Sequence, residues 1–174
     1  MSDRLWAPWR IQYIKNPKPS GCIFCQAVSE EGNERKNLIL MRNAHVFIIM
    51  NRYPYNSGHL MVAPLRHLND LTTLTKDEMS AVMDAIRSST ETLKKAMGAK
   101  GFNVGINIGK VAGAGLYEHL HVHVVPRWSG DVNFMPVMAD VHVLPELLAQ
   151  TYDHLKPFFN TREQSSIYRK SRVE

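Results

Sequence analysis

The pattern of hydrophobic and polar positions along the chain predicts a mixed α and β domain. Short apolar runs rich in Val, Ile and Phe are typical of buried strands, and alternation of apolar with polar residues is typical of half-buried ones. On this basis we predict five strands, at residues 38–41, 46–50, 59–63, 102–108 and 119–125. Polar or Gly- and Pro-containing segments predict loops at residues 29–37, 52–58 and 109–115, and Arg42-Asn43-Ala44 predicts a hairpin turn.

A long amphipathic helix is predicted over residues 75–97. Thr75 and Glu78 have the spacing of a capping box, and Gly98 suits the position just after the helix. The apolar residues at helical spacing, which we expect to face the core, are Met79, Val82, Met83, Ile86, Leu93 and Met97. A second amphipathic helix is predicted over residues 143–159. We therefore predict an α+β fold with a mainly antiparallel sheet, one long central helix and a C-terminal helix.

The length of 174 residues, with 44% hydrophobic and 21% charged residues, is typical of one globular domain. We predict a single domain over residues 1–174, with an irregular N-terminal arm at 1–21 and a mobile tail at about 160–174. No apolar run approaches the ~20 residues of a membrane span. Because Met1–Trp6 lacks the basic and apolar regions of a signal peptide, we expect a cytoplasmic location and no membrane partner.

The formal charge of +5 is compatible with nucleic acid, anionic lipid or a phosphorylated small molecule as a partner. No long Lys/Arg block occurs before the tail at Tyr168–Arg172, which we expect to be a solvated chain end. A zinc-ribbon-like nucleic-acid module would need a second CxxC pair and a surface pattern of aromatic and basic residues, and both are missing. We therefore expect a small phosphorylated partner and no nucleic acid.

Three histidines at alternate positions, His119, His121 and His123, are the strongest chemical feature of the chain. On a strand they would line one face, while the apolar residues between them would line the other. Folding alone does not require a row of imidazoles, whereas nucleophilic attack, proton donation and metal binding all use them. The alternative interpretation is a histidine-rich edge strand that faces solvent.

The segment before this histidine run predicts a site for phosphate groups. Gly113 and Gly115 allow the backbone to approach an anionic ligand closely, and Asn107 could donate a hydrogen bond to the same oxygens. A neutral imidazole can attack phosphorus directly, and His121 has a histidine on each side. We therefore predict His121 as the nucleophile and His123 as the residue that holds a phosphoryl or leaving oxygen.

The cysteine pair Cys22 and Cys25 allows three interpretations, which are a redox pair, half of a zinc site and a coincidence. It follows a proline-containing, loop-like stretch rather than a strand, so half of a zinc site fits better than a thioredoxin-like site. One histidine of the triad could be a third ligand. From the residues alone, the fourth could be His45, His59 or His67.

The run His119–Pro126 (HLHVHVVP) resembles the signature of the histidine triad (HIT) superfamily of nucleotide hydrolases and transferases. The resemblance covers roughly residues 4–159 and points to the bacterial branch with diadenosine polyphosphate phosphorylase activity. The further segments that resemble this branch are Leu5–Arg10, Asn51–Pro64, Gly101–Gly109 and Pro126–Phe134. The chain is accordingly identified as a member of this superfamily.

The resemblance implies a HIT-like fold, a homodimer and cleavage of diadenosine polyphosphates such as diadenosine tetraphosphate. His121 would attack the α-phosphate and form a nucleotidyl-histidine, which inorganic phosphate or water would release. Asn51 matches a residue that holds the ribose, and His59 matches the histidine beside the nucleophile. Residues that match the family's phosphate loop are Asn107, Gly113 and Gly115, and those that match the ligands of its zinc-bearing members are Cys22, Cys25, His67 and His119.

Residues 112–118 depart from the family pattern, because they lack the Gln or Ser side chains of the hydrolase branches and contain a bulky Tyr117. This departure favours phosphate over water as the acceptor. Two alternatives follow. One is a hydrolase of dinucleoside polyphosphates or adenylate conjugates, and the other is a nucleotide-binding sensor in which the bound state matters more than turnover.

Overall fold

The structure is a computed structural model that describes residues 21–113, 115–131 and 147–159. The predicted tail and all of the predicted N-terminal arm except Gly21 lie outside the described residues, as do residues 143–146 of the predicted C-terminal helix. Within the described ranges, no helix has the length and apolar character needed to cross a membrane.

The described residues form one five-stranded antiparallel sheet, in the order β1-β2-β3-β5-β4, with helices packed against it. The strands are β1 (Ile39–Arg42), β2 (Val46–Met50), β3 (Leu60–Pro64), β4 (Gly101–Ile106) and β5 (Val122–Arg127). The helices are α1 (Ile23–Ser29), α2 (Glu34–Asn37), α3 (Lys76–Met97) and α4 (Leu148–Phe159). The predicted α+β class, antiparallel sheet, long central helix and C-terminal helix are confirmed.

The centre of the sheet is the core of the molecule. Every residue of β2 and β3 is buried, which explains why these strands have continuous apolar sequences instead of an alternating pattern. Helix α3 packs against β2, β3 and β5, and α4 packs against α3 and β1. The predicted hairpin turn is present, with the Asn43 side-chain oxygen accepting hydrogen bonds from the backbone N–H groups of His45 and Val46.

The start of α3 is fixed by the predicted capping box. The Thr75 hydroxyl accepts from the Glu78 N–H, and the Glu78 carboxylate accepts from the Thr75 N–H. Arg66 donates two further hydrogen bonds to that carboxylate at 2.9 and 2.7 Å. The Arg66 guanidinium is the main reason that the pKa of Glu78 falls to about 2. These bonds tie the segment that follows β3, which carries His67, to the first turn of α3.

The predicted core face of α3 is wrong in part. Met79 and Met83 are 47% and 64% exposed. The sheet-facing side of the helix uses small residues such as Ala81, Ala85 and Ser89, and these allow close approach to the strands. Counting only large apolar residues therefore misplaced the buried face.

The predicted loop over residues 29–37 is also wrong in part, because α2 occupies Glu34–Asn37. The strand bounds are close to the predicted ones, with one exception. The strand predicted over 119–125 begins only at Val122, because the Leu120 N–H bonds to Leu68 in a connecting segment rather than to a neighbouring strand.

Candidate active site and metal-ligand cluster

His121 lies directly before β5, with its ring held in one tautomer. Its Nδ1 is 2.8 Å from the backbone oxygen of His119. A carbonyl oxygen only accepts, so Nδ1 must carry the proton and Nε2 must carry the lone pair. Burial lowers the pKa of His121 from its ordinary value. A neutral imidazole with an unprotonated Nε2 is chemically suited to attack an electrophilic phosphorus.

The ring of His123 is next to that of His121, with 4.9 Å between the ring centroids. Its Nδ1 is 3.0 Å from Nε2 of His59, a side chain that is only 1% exposed. The Tyr55 N–H donates to Nδ1 of His59 at 3.1 Å, so His59 carries its proton on Nε2 and donates it to His123. Consequently His123 carries its own proton on Nε2, where it is available to an oxygen of a ligand.

Both residues of this pair are held neutral. Burial is the largest cause of their lowered pKa values, and neighbouring histidines add to it. The pKa of His59 falls to about 3 and that of His123 to about 4. At neutral pH the histidines of this site are therefore uncharged imidazoles with defined donors and acceptors, rather than a cluster of cations.

Asn51 follows directly after β2 and lies at the same site. Its side-chain nitrogen is 3.4 Å from Nδ1 of His59, and its side-chain oxygen accepts from the Tyr53 N–H at 2.9 Å. The antiparallel pairing of β2 with β3 brings the end of one strand beside the start of the other, and so places Asn51 next to His59. Asn51 thus offers an amide to a ligand that approaches the histidines.

The glycine-containing loop follows β4 and begins with a short 3-10 turn over Lys110–Ala112. Gly113, predicted as a phosphate-binding residue, has a φ of +80°, which favours glycine. Among the described residues, no hydrogen bond or ring contact joins Asn107, Gly113 or Gly115 to the histidines. Lys110 was not predicted as a site residue, yet its Nζ lies 4.4 Å from the centroid of the Tyr117 ring and adds a cation to this loop.

A second cluster consists of the four side chains of Cys22, Cys25, His67 and His119, whose ligand atoms all lie within 4.8 Å of one another. Nδ1 of His119 is 3.3 Å from the sulfur of Cys22 and 3.6 Å from that of Cys25. Nδ1 of His67 is 3.3 Å from the sulfur of Cys25. Tetrahedral zinc, with bonds of about 2.3 Å to sulfur and about 2.0–2.1 Å to nitrogen, puts such atoms about 3.6 Å apart. The donor set therefore has the size and chemistry of a zinc site.

The local structure explains how the cluster forms. Cys22 is the N-cap of α1, so the two cysteines lie on one turn of a helix and not in the loop that the sequence suggested. The other ring nitrogen of His119, Nε2, donates to the Pro64 carbonyl at 2.9 Å and leaves Nδ1 facing the sulfurs. Such a bond is the usual way in which a histidine is oriented toward a metal.

Comparison with known proteins decides the family. Residues 32–130 match the family model described as the HIT domain, which is more than half of the chain. The chain belongs to the HIT domain family. The resemblance drawn from the histidine run is thereby confirmed.

Relatives and solved structures agree with this assignment. An AP-4-A phosphorylase from Mycobacterium tuberculosis is 39% identical over 156 residues, which are 86% of this chain and 80% of the relative. A Zn-bound histidine triad family protein from Mycobacterium smegmatis has a TM-score of 0.66 at 23% identity, with 83% of this chain and 97% of that chain covered. A hypothetical histidine triad nucleotide-binding protein from Sulfolobus tokodaii has a TM-score of 0.63 at 25% identity, covering 84% and 93%.

In this HIT protein, Phe24 connects the two clusters, a role that was not predicted from the sequence. The side chain is 1% exposed. Its ring centroid is 5.3 Å from that of His119, 5.2 Å from that of His121 and 5.9 Å from that of Phe47. The only available signal was an apolar residue between the two cysteines. Phe24 thus packs against one residue of each cluster.

The loop that carries Tyr55 is attached to the end of β5. The Asn56 side chain donates to the carbonyl of Pro126 at 3.2 Å and to the carboxylate of Asp131 at 3.1 Å. Asp131 also accepts from Arg127, whose guanidinium is the largest cause of an Asp131 pKa of about 2. The contact of this ion pair with the loop was not predicted, because Asn56 and Asp131 are 75 residues apart in the sequence.

Proposed function

We propose that this HIT protein cleaves diadenosine polyphosphates, such as diadenosine tetraphosphate, and transfers the adenylyl group to inorganic phosphate. The observation that carries the proposal is the neutral His121, with its lone pair on Nε2, beside a His123 that carries a proton on Nε2. The similarity to an AP-4-A phosphorylase, which extends over 86% of this chain, supports the choice of substrate and acceptor.

In the first step, Nε2 of His121 attacks the α-phosphorus. A P–N bond forms and the P–O bond to the leaving nucleotide breaks, while the neutral His123 donates a hydrogen bond from its Nε2–H to the leaving oxygen, so that the nucleotide departs as a polyphosphate anion and His123 keeps its proton. The imidazole of His121 becomes positively charged in this step. The His119 carbonyl, which accepts from Nδ1 at 2.8 Å, stabilises that charge.

In the second step, an oxygen of inorganic phosphate attacks the same phosphorus and the P–N bond breaks. The proton of the attacking phosphate stays on the ADP that forms or is released to solvent, and His121 leaves as the neutral imidazole with which the cycle began. From diadenosine tetraphosphate the products are ATP from the first step and ADP from the second. With water in place of phosphate, the second product would be AMP.

Other residues position the substrate in this proposal. His59 keeps the proton of His123 on Nε2, since its own Nε2–H occupies the other nitrogen of that ring. Asn51 holds the ribose of the transferred nucleotide. Backbone N–H groups at Gly113 and Gly115, together with the Asn107 amide, would bind phosphoryl oxygens.

We further propose that a structural zinc ion is held by Cys22, Cys25, His67 and His119, on the strength of the donor distances. Four protein ligands leave no open position, so the ion would stabilise the fold and supply no Lewis acid. Elemental analysis of the purified protein should give about one zinc per chain. Cys25→Ser should lose that zinc, while Ser29→Ala, on the same helix, should keep it. A wild-type protein without zinc would contradict this proposal.

A homodimer and a cytoplasmic location complete the proposal. Strand β4 is at one edge of the sheet with Val104 48% exposed, and Met79 and Met83 lie exposed on α3. An unpaired edge and exposed apolar side chains are features that a second copy would cover. Metal binding requires reduced thiols, which fits a reducing compartment. Sedimentation analysis should give a dimer, and a monomer at micromolar concentration would contradict it.

The deciding experiment is turnover of diadenosine tetraphosphate with and without inorganic phosphate, with ATP, ADP and AMP separated. ATP and ADP that appear only with phosphate would support the phosphorylase. ATP and AMP regardless of phosphate would indicate the hydrolase, and absence of turnover would favour a nucleotide-binding sensor. His121→Ala should lower turnover at least about a thousandfold. His45→Ala, a histidine near the β1–β2 turn, is the matched control and should keep wild-type turnover.

A further inference from the structure

Tyr55 has an unusual position for a large exposed aromatic residue. Its ring is stacked on that of His59, with centroids 4.9 Å apart and an angle of 24° between the planes. It also lies 6.0 Å from the ring centroid of His123. The residue nevertheless remains 59% exposed. One face of the ring therefore covers a buried site histidine, while the other face is open to solvent.

The loop that presents this ring is well anchored. The backbone N–H of Tyr55 donates to His59, and the next residue, Asn56, is bonded to Pro126 and Asp131. Gly58, in the same loop, packs closely against the end of α3. Its φ is +77°, and an added Cβ atom would come within 2.7 Å of the Met97 sulfur. A ring that is already ordered loses little conformational freedom when a ligand stacks on it. The open face is thus a preformed stacking surface.

The position of the ring relative to the two site histidines indicates which part of a substrate it meets. Tyr55 contacts His123, whose Nε2–H is the proposed hydrogen-bond donor to the leaving oxygen. The described ring contacts of His121 are with His123 and Phe24 and do not include Tyr55. The open face of Tyr55 is therefore on the side from which the leaving nucleotide departs.

We propose that Tyr55 stacks on the purine base of the leaving nucleotide and so makes the site selective for dinucleotides over mononucleoside polyphosphates. This inference rests on the proposed function. Stacking on an aromatic side chain accepts any base, because every base has a π face. Tyr55 would therefore raise affinity for the second nucleoside without reading its hydrogen-bonding edge.

The test compares diadenosine tetraphosphate with adenosine 5′-tetraphosphate, which has the same phosphate chain and no second nucleoside. Tyr55→Leu should lower kcat/KM for the dinucleotide by about tenfold, mainly through KM. The same variant should leave kcat/KM for the mononucleotide essentially unchanged. Tyr55→Trp, which keeps an aromatic face, should restore the dinucleotide value. An equal loss on both substrates would show that the ring only shields His59, and would overturn the inference, as would no loss on either.

Equilibrium binding keeps this test separate from the test of catalysis. The dissociation constants of both ligands are measured by calorimetry with His121→Ala and with the double variant His121→Ala/Tyr55→Leu. A loss of affinity confined to the dinucleotide supports the inference, and an equal loss or none overturns it. Absence of wild-type turnover would instead overturn the proposed phosphorylase, while the binding comparison would still decide the role of Tyr55.

Discussion

Phe24→Ala should be among the most destabilising single changes in this protein. Phe24 is 1% exposed and makes ring contacts with Phe47, His119 and His121. The substitution removes the whole ring from the junction between the sheet, the proposed nucleophile and the metal-ligand cluster. Since these neighbours belong to different elements, they cannot all move inward to fill the space.

The magnitude follows from burial and from the cavity that is left. Burying a phenylalanine side chain contributes about 2–3 kcal/mol, and an unfilled cavity raises the cost of Phe→Ala to about 3–5 kcal/mol. We expect about 4 kcal/mol for Phe24, a large part of the ~5–15 kcal/mol that stabilises a typical domain. For a chain of this length, that loss corresponds to a fall in Tm of about 10 °C.

The assay is urea-induced unfolding, with the zinc content of each variant measured and matched. Ile23→Ala is the control, because Ile23 is the neighbouring residue on α1 and is 38% exposed. It should lose no more than about 1 kcal/mol. If Phe24→Ala lost no more stability than Ile23→Ala, the role of Phe24 as the packing link between the two clusters would be refuted.

Two further predictions concern pH and helix capping. Because the pKa of His59 is about 3 when folded and near its ordinary value when unfolded, the unfolded state binds more protons between these values. The contribution of His59 should therefore lower the free energy of unfolding by about 2 kcal/mol between pH 7 and 5. His59→Gln should reduce this pH dependence when the free energy is measured by urea unfolding, and an unchanged pH dependence would contradict the reasoning. Glu78→Ala removes a capping bond and the hydrogen bonds from Arg66, and should lower stability by about 2 kcal/mol in thermal unfolding. Asp84→Ala, in an exposed ion pair on the same helix, should have little effect, and an equal loss would argue against the capping role.

Local patterns predicted most of the fold. The β1–β2 hairpin and α3 follow from signals within a few residues of sequence, namely apolar runs, the Asn43 turn and the Thr75–Glu78 capping box. Helix α1 was not predicted because it is seven residues long and has no side-chain cap. Burial of Phe24 and its contacts with distant residues, rather than helix propensity, account for its stability.

The candidate site was predicted as far as its residue types and family pattern allowed. The alternating histidines were sufficient to select His121 and His123. The family resemblance selected His67 as a metal ligand, and in the structure its ring lies beside the sulfur of Cys25. Phe24 was missed because its contact with His121 joins chain segments that are far apart in sequence. Tyr55 was missed because its stacking on His59 depends on the conformation of the loop, and its contact with His123 joins distant segments. The hydrogen bonds that fix the tautomers of His59 and His123 are equally invisible to a pattern of residues.

The most direct test of the central claim is to trap the covalent intermediate. The protein is mixed with diadenosine tetraphosphate without inorganic phosphate and quenched in alkali, which preserves P–N bonds, and its peptides are then analysed by mass spectrometry. We predict an adenylyl group on His121 that forms at least as fast as turnover and disappears when phosphate is added. An adenylyl group on another residue, or turnover with no modified peptide at any time, would contradict the account.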